Sequence, residues 1–106
     1  MSNPWTMLFI AGFFEICLAL GLKYSEGFTR VIPTVLTVIA TLLSFYFLSR
    51  SLRVLPIGTA YAIWTSIGAA GTALCGVYLF GEIFSLYKVL FMIMIIGGVV
   101  GLKAVS

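Results

Sequence analysis

PWTMLFIAGFFEICLALGL, the run from Pro4 to Leu22, carries a single charged side chain, Glu15, in nineteen residues. A helix that crosses the hydrocarbon of a bilayer needs about 20 mostly apolar residues, so this run is long enough to span one. Working outward from it, three further apolar runs occur at Val31 to Ser49, Pro56 to Phe80 and Leu86 to Ala104, with the other charges gathered between and beside them. Hydrophobic residues make up 62% of the 106 and charged ones 8%, which leaves too little polar surface to cover a soluble core. The expected fold is an all-α integral membrane protein of four transmembrane helices, a single domain over residues 1–106.

The first run does not have the form of a cleaved signal peptide. No basic residue precedes it, and Lys23, Ser25 and Glu26 follow where a small-residue cleavage site would stand. Pro4 suits an opening helical turn and Trp5 a membrane interface. Lys23 to Arg30, with Gly27, reads as a short polar loop. Pro33 lies in the first turn of the second span, Pro56 opens the third, and Arg50 to Arg53 break the chain between them. Gly81 and Glu82 close the third span, and Lys88 is placed to snorkel from the first turn of the fourth. Glu26 and Glu82 are expected to face solvent.

Several function classes find no support. His and Asp are absent, and no nucleophile–base pair, phosphate-binding loop or paired-cysteine metal site is present. Cys17 and Cys75 sit in different apolar spans and read as small hydrophobic fillers. The expectation is a protein that is not an enzyme, with no cofactor, no metal and no nucleic-acid partner.

Lysine and arginine usually mark the cytoplasmic side of a membrane protein, but the six here divide evenly. Arg50, Arg53 and Lys103 fall on the side of the termini, and Lys23, Arg30 and Lys88 on the other. Such a balance permits insertion in both orientations. Many transporters work with two inverted repeats about a site near the midplane, and this chain has one repeat's worth of helices. A second, antiparallel copy would supply the other, so an antiparallel homodimer is expected.

Polar side chains are costly in hydrocarbon, and their spacing marks the faces that line protein or water. Thr34, Thr37, Thr41 and Ser44 form one such stripe in the second span, and Tyr61, Thr65, Gly68 and Thr72 another in the third. Each hydroxyl could instead bond its own helix backbone. Tyr61 and Trp64, three residues apart, could flank a cation with their ring faces. The fourth span has only apolar residues and glycine between Lys88 and Lys103, and its Gly97 and Gly101 form a small-xxx-small pair suited to a dimer interface. Glu15 lies near mid-bilayer beside Ala11, Gly12, Leu18 and Ala19. Lost hydration disfavours its charged form, so it can exchange a proton for a cation.

Ala11-Gly-Phe-Phe-Glu15-Ile, Lys23-Tyr-Ser-Glu-Gly-Phe-Thr-Arg30 and Pro56-Ile-Gly-Thr-Ala-Tyr-Ala-Ile-Trp64-Thr together resemble the small multidrug resistance family, along essentially the whole chain. The resemblance implies a bacterial inner-membrane exporter, working as an antiparallel dimer that exchanges protons for organic cations at paired glutamates, with Glu15 matching that residue. Gly58-Thr-Ala-Tyr-Ala-Ile-Trp-Thr65 and Gly101-Leu-Lys103 look more like the SugE-like guanidinium-exporter branch than the polyaromatic-drug branch. A quaternary-ammonium exporter, or one subunit of a heterodimeric pair, is the alternative. By resemblance Gly12, Leu18, Ser44, Tyr61 and Trp64 occupy substrate-binding positions, and Ser44 is expected to hydrogen-bond the carboxylate of Glu15. The sequence departs from the branch at Leu18, where a tryptophan is usual, and at Ser66, where the first glycine of a flexible Gly-x-Gly is usual. Leu18 should widen the pocket toward bulkier cations, and Ser66 should stiffen or displace the hinge.

Overall fold

The computed structural model describes residues 3–83 and 85–105. It contains four α-helices, α1 (Pro4–Tyr24), α2 (Val31–Ser51), α3 (Ile57–Phe80) and α4 (Leu86–Val105), each long and apolar enough to cross a membrane. The chain is therefore an all-α, multi-pass membrane protein.

Local chemistry sets the helix ends. Asn3 caps α1 by accepting a hydrogen bond from the amide of Trp5 at 2.9 Å, with Pro4 in the first turn where its missing N–H costs nothing. Two buried serines organise the next two connections. Ser25 donates to the carbonyl of Leu22 at 2.8 Å and accepts from the amide of Phe28 at 3.2 Å, while its own carbonyl takes the amides of Thr29 and Arg30. Ser51 donates to the carbonyl of Leu48 at 2.7 Å, and its carbonyl receives the amides of Val54 and Leu55. Each serine thus satisfies orphan groups at a helix end inside a tight turn. Gly81, at φ 65°, ends α3 in the left-handed conformation that glycine adopts without penalty.

α1 packs along α2 and α3, α4 leans on α3, and α2 barely meets α3. The core joins Leu8 and Ala11 of α1, Leu48 of α2 and Ala60, Ile63 and Trp64 of α3, with Val99 and Leu102 of α4 packed beside it. These positions lie at the end of the bundle that holds the termini, so tight packing is concentrated there. At the same end Lys103 lies 5.0 Å over the ring of Trp5, a cation–π contact between the last helix and the first. At the other end Lys88 pairs with Glu82 at 3.4 Å and reaches the carbonyl of Ile83 at 3.3 Å. Glu82, expected simply to face solvent, therefore has a partner and also lies against Gly76.

α4 stands apart from the other three, since none of its described residues is buried. Gly97 and Gly101 have open space where a side chain would be.

Candidate functional site

α1 and α3 approach closely because three large side chains at their contact each meet a glycine. Ile67 packs on Gly12, Ile16 on Gly71 and Glu15 on Gly68. A methyl group on Gly68 would sit 2.5 Å from Oε2 of Glu15 and 2.8 Å from its Cδ, well inside van der Waals contact. The carboxyl therefore lies across bare backbone, and Gly68 is what lets it lie there.

That carboxyl opens onto a groove of about 500 Å³. Ala19 of α1 and Gly68, Ala69 and Ala73 of α3 supply small apolar walls, and Thr65 and Thr72 complete the lining. The third-span stripe thus lines the groove from Thr65 to Thr72. Tyr61 extends it by one turn, with its ring exposed and 5.3 Å from that of Trp64. Oε2 of Glu15 is buried and has no hydrogen-bond partner, and neither has the buried hydroxyl of Thr72. Buried polar atoms are nearly always paired, so two orphans on one groove mark a place suited to a polar ligand.

The second-span stripe behaves otherwise. Thr34, Thr37 and Thr41 each donate to the carbonyl four residues back, at 2.6, 2.7 and 2.8 Å, which is the backbone-bonding alternative for such residues. Ser44, expected to bond the carboxylate of Glu15, donates at 2.7 Å to the carbonyl of Ala11 and accepts at 2.9 Å from the indole Nε1–H of Trp64. The reason for the difference is geometric. Glu15 leans toward α3, where Gly68 leaves room, and the single proton of Ser44 is spent on the backbone of α1.

Among the remaining candidates, Gly12 is buried against Ile67, and Trp64 is buried with its N–H engaged and its ring 5.6 Å from that of Phe45. Leu18 is half-buried and does not line the groove. The structure brings Glu15 together with Thr65, Gly68 and Thr72, and sets Ser44, Trp64 and the carbonyl of Ala11 apart as a second cluster. Thr72 belongs to the polar stripe, and the family resemblance does not mark it as a site residue. Its helical spacing carried the signal, whereas its lack of a backbone partner appears only in three dimensions. No group of three or more His, Cys, Asp or Glu side chains occurs among the described residues to hold a metal ion.

The family model described as "Small Multidrug Resistance protein" matches residues 3–95. A guanidinium exporter from Proteus vulgaris is 50% identical over 102 residues, covering 96% of this chain and 98% of that protein. A guanidinium exporter from Yersinia pestis is 47% identical over the same shares of each chain, and one from Salmonella typhimurium 48% identical over 93% and 94%.

Proposed function

The chain belongs to the small multidrug resistance family, and from that premise we propose that it exports guanidinium and substituted guanidinium ions across the bacterial inner membrane in exchange for protons. The observation that carries the reading is the buried, unpartnered oxygen of Glu15 in an otherwise uncharged groove. The near end-to-end likeness to guanidinium exporters of three bacteria supports the choice of substrate.

A guanidinium ion presents N–H donors in a plane and pairs with a carboxylate through two parallel hydrogen bonds. A proton on Glu15 removes the charge that holds the cation, so each excludes the other at one carboxyl. Coupling then needs no separate proton site. The protein works as an antiparallel homodimer in which two copies of Glu15 share one cavity, and rocking of one copy against the other exposes the cavity to alternate sides. Three features support the dimer: one repeat's worth of helices, the even division of basic residues, and a fourth helix whose Gly97 and Gly101 have open space where side chains would be. Gly12, Leu18, Ser44, Tyr61 and Trp64 enter this reading as substrate-site positions by family resemblance: Tyr61 directly through its exposed ring, Ser44 and Trp64 through their hold on α1, and Gly12 by admitting Ile67 of α3, while Leu18 lies outside the groove of the single copy.

A second reading, a quaternary-ammonium exporter, is favoured by the alanine walls at 19, 69 and 73 and by the exposed ring of Tyr61. A cation without N–H donors relies on such surfaces and on Coulomb attraction.

The test is proton-coupled current from purified protein in supported bilayers, with guanidinium, phenylguanidinium and tetrapropylammonium as substrates. Guanidinium current in the wild type that disappears in Glu15→Gln is expected. Tetrapropylammonium currents exceeding those of guanidinium would establish the second reading, and the absence of any Glu15-dependent current would overturn both.

A further inference from the structure

Thr72 differs from four other threonines of the spans. Thr34, Thr37, Thr41 and Thr65 each give their hydroxyl proton to the carbonyl four residues back, Thr65 doing so at 2.9 Å to Tyr61. Thr72 occupies the same α3 face, two turns beyond Thr65, and its buried hydroxyl bonds nothing. The carbonyl of Gly68 is its equivalent partner, and the hydroxyl does not use it. Both the proton and the lone pairs of Thr72 are therefore uncommitted, in a residue that lines the same groove as Glu15, and a turn about its Cα–Cβ bond would present the buried hydroxyl to that groove.

The two groups are set along α3 by one helical turn, because Glu15 rests on Gly68 and Thr72 follows four residues later. Four residues rise about 6 Å along a helix, a backbone offset on the scale of a small planar cation with N–H donors on more than one edge. We propose that Thr72 is a selectivity residue of the groove, its hydroxyl oxygen accepting one N–H of a guanidinium-type cation whose other N–H groups are held by Glu15. This deepens the exporter reading and rests on it. A cation with no N–H offers Thr72 nothing, so the hydroxyl favours guanidinium ions over quaternary ammonium ions of similar size. The walls around it are alanine and glycine, which leave the hydroxyl as the groove's free polar group besides the carboxyl and the backbone-bonded Thr65.

The experiment measures the KM of proton-coupled current for guanidinium and for tetrapropylammonium in wild type, Thr72→Val and Thr72→Ser, with Glu15→Gln as the control. Valine keeps the shape and removes the hydroxyl, and serine keeps the hydroxyl. The expected result is a guanidinium KM raised about tenfold by valine, the value of one hydrogen bond to a charged group, and restored by serine. The tetrapropylammonium KM should stay unchanged in both variants. A valine variant with the wild-type guanidinium KM, or with both KM values raised alike, would overturn the assignment and leave the exporter reading standing. Where the wild type carries no tetrapropylammonium, the contrast between serine and valine on guanidinium decides the matter: equal KM values overturn it. Absence of Glu15-dependent current in the wild type would remove the exporter reading and this one together.

Discussion

Around Ala11 the carbonyl, the Ser44 hydroxyl and the Trp64 indole form a closed chain of hydrogen bonds that joins α1, α2 and α3. One turn along α1, Glu15 and Thr72 share a groove and neither the buried Oε2 nor the hydroxyl is bonded. The contrast teaches what each cluster is for. A closed network in low dielectric rigidifies the helices that contribute to it, and every donor it contains is consumed. An open pair costs stability while empty, since an unsatisfied buried polar group is worth about 1–3 kcal/mol, and it returns that cost when a ligand with matching donors arrives. The first cluster lies in the tightly packed end of the bundle and the second lies beyond it, so rigid support sits directly beside the groove proposed to take the cation.

Short of removing the Glu15 carboxylate itself, the largest expected effect comes from disturbing the open cluster without touching its polar atoms. In Gly68→Ala the new methyl falls 2.5 Å from Oε2 of Glu15. The carboxyl is the far end of a flexible side chain and moves aside, so the protein should still fold and elute as the wild type does. Guanidinium transport should fall about 100-fold in kcat/KM, the scale of loss when a reacting or binding group is misplaced by about an ångström. Gly58→Ala, at a position with open space around it, is the matched control and should transport normally. Wild-type transport by Gly68→Ala would mean that the carboxyl position seen here is not the one that binds.

The closed cluster should answer in stability. Ser44→Ala leaves the buried indole N–H of Trp64 without an acceptor, at a cost of about 1–3 kcal/mol, read as an earlier thermal unfolding transition in detergent. Adding Trp64→Phe removes the stranded donor, so the double variant should lose less than the two single losses added together. Strict additivity would show that the Ser44–Trp64 bond does not contribute to the hold between α2 and α3.

How far these clusters were legible in the sequence follows from the same contrast. Four apolar runs announce four helices because hydrocarbon tolerates little else, and Glu15 stands out because a lone carboxylate in such a run has few structural uses. The third-span stripe was visible as spacing, and it lines the groove from Thr65 to Thr72. Pairing within it was not visible. A threonine beyond the first turn of a helix has a carbonyl four residues back available, and whether Thr72 takes it depends on packing against α1. Likewise the sequence offers Ser44 both a carboxylate and a carbonyl on α1, and the room beside Gly68 is what sends Glu15 away from it. For α4, composition indicated that no side chain could hold a cation, but only the fold shows that this helix leaves every described residue outside the protomer's core.

The smallest effect is expected where a charge belongs to neither cluster. Glu82 is half-exposed and pairs with Lys88 at 3.4 Å across the turn between α3 and α4. An ion pair of this kind in contact with solvent contributes about 0–1 kcal/mol, because water screens it and two long side chains must be ordered to make it. Lys88 also donates to the carbonyl of Ile83, and the amide of Glu82 bonds the carbonyl of Gly76 at 3.2 Å, so the turn keeps backbone-directed bonds when the carboxylate is removed. Glu82→Gln should therefore unfold close to the wild-type temperature and carry guanidinium with unchanged KM and unchanged dependence on the proton gradient. Glu15→Gln removes one carboxylate in the same way and should abolish current. If the Glu82 variant lost proton coupling while remaining folded, the carboxylate at the α3–α4 turn would have to be counted as part of the proton path, and the division between one working carboxylate in the groove and solvated carboxylates outside it would fail.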